Sequence, residues 1–173
     1  MNYREVTIYT GEVYNVPSNI NRLDDKATHG WQVRYGETKE AFFADGINDR
    51  AGAEKALKKA IEELKKRIAI LEAPTRLRTN PCAHKNTELP AGVSGPTLRF
   101  RKGRNTAEIS YQVSFPRFGL ASTTKKVYVG TENTATQEKH AEAIEMAIKI
   151  RNEAVEKYQF EATEHKRKTA EET

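Results

Sequence analysis

The chain has 173 residues, 37% of them hydrophobic and 31% charged, with a mean hydropathy of −0.77 and a formal net charge of +5 at pH 7. This composition excludes a membrane-spanning helix, which needs roughly 18 consecutive apolar residues, and it leaves apolar material for two small cores rather than one large one. The lone Cys82 excludes an internal disulfide and a cysteine-rich zinc site.

Taken in chain order, Val6-Thr7-Ile8-Tyr9 and Glu12-Val13-Tyr14-Asn15-Val16 alternate around a Thr10-Gly11 turn, which predicts a short hairpin within residues 1–17. Strands are expected at Asn19–Asp24, His29–Tyr35 and Lys39–Ala44, punctuated by Gly30 and Gly36. A helix follows over Arg50–Leu71, with Ala53, Leu57, Ala60, Ile61, Leu64, Ile68 and Leu71 on one stripe. Asn48-Asp49 are its expected cap and Pro74 its stop. These elements make a first module over 18–73.

Residues 74–91 hold three prolines and no periodicity, and read as a linker made basic by Arg76, Arg78 and Lys85. The second module, 92–160, begins with a strand at Leu98–Arg101. Ala107–Phe115 then alternates Ile109, Tyr111, Val113 and Phe115 against Glu108, Ser110, Gln112 and Ser114. Lys125–Val129 is its third strand. Thr134 and Gln137 fit a capping box before a helix to Tyr158. The tail, 161–173, is charged and expected to fray.

The two halves repeat. Trp31-Gln32-Val33 matches Tyr111-Gln112-Val113, Phe42-Phe43-Ala44 matches Val127-Tyr128-Val129, and Lys55–Ile61 matches Glu142–Ile148. The fold class expected is α+β, as two tandem modules, each a three-stranded antiparallel sheet packed on one α-helix, with a short N-terminal hairpin. Each sheet would leave one polar face open.

Charge is distributed unevenly. Residues 92–131 hold seven Lys or Arg against one acid, Glu108, whereas residues 1–49 hold five against eight acids. A cluster of cations on one sheet and its loops is what phosphate neutralisation requires.

Gly92-Val93-Ser94, the alternating strand to Phe115, Val127-Tyr128-Val129-Gly130-Thr131 and the Ala-containing helix resemble the plant ethylene-response-factor (Apetala-type) DNA-binding domain. Gly30-Trp31-Gln32-Val33-Arg34 with Phe42-Phe43-Ala44-Asp45 looks like the first repeat of the tandem form found in phage and mobile-element proteins. The resemblance covers roughly residues 18–158. It implies a sheet face lying in the DNA major groove, with Lys126, Tyr128 and Thr131 matching contact positions on strand three. Two departures stand out. Ser94 replaces the family's Arg, and the first repeat is acidic.

The expected function is therefore double-stranded DNA binding, as a transcriptional regulator or accessory factor of phage or mobile-element kind, cytoplasmic and nucleoid-associated. The contact residues expected are Arg99, Arg101, Lys102, Arg104, Ser110, Gln112, Lys125, Lys126, Tyr128 and Thr131 in the second module. Arg22, Gln32 and Arg34 are expected in the first, and Arg76 and Arg78 in the linker. Two modules docked on one duplex face would want half-sites about 10 base pairs apart. The alternatives are a protein-interaction module acting through the acidic first half, such as a small phage protein that inhibits a host protein, and an RNA-binding protein. No nucleophile–base grouping or phosphate loop is present, and Cys82 with His84 falls short of a metal's three or four ligands. No enzyme activity, cofactor, metal or small-molecule substrate is expected.

Overall fold

A computed structural model describes residues 1–46, 50–81, 88–103 and 105–172. The expected Asn48-Asp49 cap, Cys82, His84, Lys85 and Arg104 lie outside the described residues. The elements run β1 (Tyr3–Thr7), β2 (Val13–Pro17), β3 (Ile20–Asp25), β4 (Thr28–Val33), β5 (Ala41–Ala44), α1 (Arg50–Ile70), β6 (Val93–Phe100), β7 (Ala107–Arg117), β8 (Leu120–Thr131) and α2 (Gln137–Glu171). The strands form a β1-β2 hairpin and two three-stranded antiparallel sheets, β3-β4-β5 and β6-β7-β8.

The chain folds into two compact units, one of residues 1–74 with 162–173 and the other of residues 75–161. In the first, the apolar stripe of α1 (Ala53, Leu57, Ala60, Leu64, Ile68) packs with Ile20, Trp31 and Val33 of the sheet and with Ile8 and Val16 of the hairpin. Trp31 is fully buried and donates from Nε1 to the Ala53 carbonyl at 2.8 Å, so its one polar atom is satisfied. The final turns of α2 complete this unit. Ala170 joins the core, Thr163 Oγ1 accepts from the Ala73 amide at 3.0 Å, and Arg167 Nε donates to the Ile68 carbonyl at 3.4 Å.

In the second unit, Val93, Tyr111, Val113 and Val129 point from one sheet face onto Ala143 and Ala147 of α2. Small alanines at the contact let helix and sheet approach closely. Arg151 reaches from α2 to the Ser114 carbonyl at 2.6 Å. Gly92 takes φ +82° beside it, and a Cβ there would meet the Arg151 side chain at 2.6 Å. This gives the Gly-Val-Ser motif a structural role at the start of β6. The cap of α2 is Thr136, whose Oγ1 accepts from the Lys139 amide at 3.4 Å, rather than the expected Thr134.

The expected pair of tandem sheet-plus-helix modules is overturned. The described residues form eight strands in three sheets of two, three and three strands, with two helices, and the units are not consecutive. The tail expected to fray is helical to Glu171 and supplies side chains to the first core. The repeat also breaks at the third strand. Trp31 pairs with Phe43 and faces the core, whereas Tyr111 pairs with Val127, so the sequence match of Phe43 to Tyr128 is out of step by one residue. A one-residue step exchanges the two faces of a strand. The helices, by contrast, agree in phase: Ala56 and Ala60 are buried as Ala143 and Ala147 are.

Candidate nucleic-acid interface

The face of the β6-β7-β8 sheet opposite α2 is built in registered rows, because directly paired residues share a face. Ser94, Gln112 and Lys126 form one row, Thr97, Ser110 and Tyr128 the next, and Arg99, Glu108 and Thr131 the third. Of the sheet's three register shifts, two set these rows, one between Ser94 and Thr97 and one opposite Ile109 and Ser110. Each inserts an extra residue, so Ser94 and Thr97, and likewise Tyr128 and Thr131, share a face although three residues apart.

Tyr128 is 59% exposed and Lys126 and Arg99 are exposed. Ser110 is only 8% exposed: the Thr97 hydroxyl donates to its carbonyl at 3.0 Å and lies 3.3 Å from its Oγ. Thr131 Oγ1 lies 3.0 Å from Thr134 Oγ1. Glu108 is the face's one acid, and Arg101, just beyond β6, holds it at 2.8 Å. Lys102 is exposed in the β6–β7 turn. Lys125 pairs with Val113 and so projects from the helix side of the edge strand, not from this face. Arg76 and Arg78 are exposed on irregular chain.

On the helix side, the Tyr111 hydroxyl lies 3.1 Å from His140 Nδ1, and burial raises its pKa. Burial lowers the pKa of Arg151. Both groups act in packing and lie away from the open face.

The first unit's candidates are placed otherwise. Arg22 shares a face with Trp31, with its guanidinium carbon 4.8 Å from the ring centroid. It forms a two-pronged pair with Asp45 and a further bond to Asp24, and its side chain is 6% exposed. Burial disfavours the Arg22 charge, and the bonds to Asp45 and Asp24 outweigh that, so its pKa rises. Gln32 is buried, with its amide donating to Glu40. Arg34 is exposed but ion-paired with Glu40 at 2.8 Å. Arg22 and Gln32, expected as DNA contacts, are both enclosed by their own unit.

Sequence reasoning placed neither Thr97 nor the Arg101–Glu108 pair on this face. The alternation marked β7 clearly, but the bulges that bring β6 and β8 residues onto its open face leave no local signal.

Among the described residues no group of three or more His, Cys, Asp or Glu could hold a metal ion, and no helix is long and apolar enough to cross a membrane. Comparison with protein-family models, curated proteins and solved structures finds no match.

Proposed function

We propose that residues 75–161 bind double-stranded DNA, laying the open face of the β6-β7-β8 sheet in the major groove. The observation that carries this reading is the face itself: exposed Lys126, Tyr128 and Arg99 on its three successive rows, flanked by Arg101 and Lys102, with its single acid paired to Arg101. The dimensions agree. Strands about 4.8 Å apart set the outer two of three about 10 Å apart, against a groove about 12 Å wide. The resemblance to the Apetala-type domain points the same way. A-form RNA disfavours the same docking, because its major groove is deep and narrow.

The first unit does not add a second DNA contact in this reading, since Arg22 and Arg34 are bonded to acids of their own unit. Its open sheet face instead exposes Phe42 and Leu23, which favours a protein partner there.

The test is a titration of labelled random-sequence duplex DNA with the full chain at several salt concentrations, with double-stranded RNA as competitor. About four neutralised phosphates would give a slope of log K on log salt of about −3 to −4. Salt-independent binding, or equal competition by RNA, would overturn the proposal.

A further inference from the structure

Not every group on the open face is available to a base. Ser110 is nearly enclosed and bonded by Thr97. Glu108 is held by Arg101, and Thr131 lies against Thr134. Gln112 differs. It occupies the middle strand, half-buried, between Ser94 and Lys126, and its amide has no hydrogen bond among the described residues. The equivalent glutamine of the first sheet, Gln32, spends its amide on Glu40.

We infer that Gln112 and Lys126 are the base-reading pair of this face, Gln112 selecting adenine and Lys126 selecting guanine. The inference rests on the duplex-binding reading of the same face. A carboxamide offers one acceptor and one donor side by side, the complement of adenine's N6 amino group and N7. A lysine ammonium offers only donors, the complement of guanine O6 and N7. Directly opposed side chains start about 5 Å apart, about one and a half base-pair rises, so the two bases lie within two base pairs of each other. Ser94, on the other flank of Gln112, is too short to block its approach.

The experiment is selection from a random duplex DNA pool by the full chain and by its Gln112→Ala and Gln112→Glu variants. The parent protein selects an adenine and a guanine within two base pairs. Gln112→Ala loses the adenine preference by about tenfold while keeping the guanine and the salt slope. Gln112→Glu moves the preference at that position to cytosine, whose N4 amino group is a donor. Thermal melts confirm that both variants fold. Adenine selection that persists in both variants, or duplex binding by the parent with no base preference, overturns the inference and leaves the duplex reading standing. A parent protein that binds no duplex at any salt sinks the duplex reading, and this inference with it.

Discussion

Arg101 Nε lies 2.8 Å from the Glu108 carboxylate, so the one acid on the open face of the second sheet is matched by a cation from the adjoining loop. Arg101 remains 60% exposed. The Glu108 side chain is 16% exposed, and the pair governs how much positive charge the face presents. Glu108→Gln is therefore expected to tighten duplex binding about threefold to tenfold and to steepen the salt slope by about one. Adding Arg101→Ala should return both to near the parent values. Fluorescence anisotropy at several salt concentrations reads both quantities.

Arg99→Ala should weaken duplex binding and, as a lost phosphate contact, reduce the salt slope by about one, and Lys126→Ala should weaken it through loss of the guanine preference. Arg34→Ala should change neither, because its guanidinium is paired with Glu40. An Arg34 effect larger than the other two would place the interface on the wrong sheet.

Only one unit contacts DNA in this reading, so a single short site should bind as tightly as any longer one. Inserting about 5 base pairs into a selected longer site, which turns its parts to opposite faces of the duplex, should leave affinity unchanged. A large loss in a competition assay would mean that the first unit also binds.

The Arg22–Asp45 pair is enclosed, with both side chains 6% exposed. Asp45→Ala leaves the buried guanidinium with Asp24 as its remaining acid partner and should cost about 1–3 kcal/mol of stability by denaturant titration. Duplex affinity at low temperature should be retained if the second unit alone binds.

Acid should weaken the first unit through Asp24. Burial raises its pKa, but hydrogen bonds from Arg22 and His29 outweigh this and hold the carboxyl below its ordinary value. A depressed native pKa stabilises at pH above the unfolded value of about 4, and that stabilisation is lost as pH falls through the native value. Melting temperatures of the parent should therefore drop below about pH 4. The drop should be shallower for Asp24→Asn, which starts lower at neutral pH.

Much of the local architecture was legible in the sequence by itself. The stripe on α1, the alternation along β7 and the core place of Trp31 all follow from helical and strand periods, which are properties of neighbouring residues. The concentration of cations between Arg99 and Lys126 was equally plain. What only the tertiary structure decided depends on residues far apart in the chain. Arg22 meets Asp45 across 23 positions, which turns an expected DNA contact into an enclosed ion pair. The last turns of α2 join the first core because their alanine and threonine find partners in α1 and the residues after it, not because of any pattern in the tail. The third strands of the two sheets carry similar residues one step out of phase, and the bulges beside Ser94 and Tyr128 realign faces that spacing alone would separate. Periodicity is local, whereas register is set by pairing with another strand. With a side-chain period of two, an error of one residue moves a whole strand from the core to the open face.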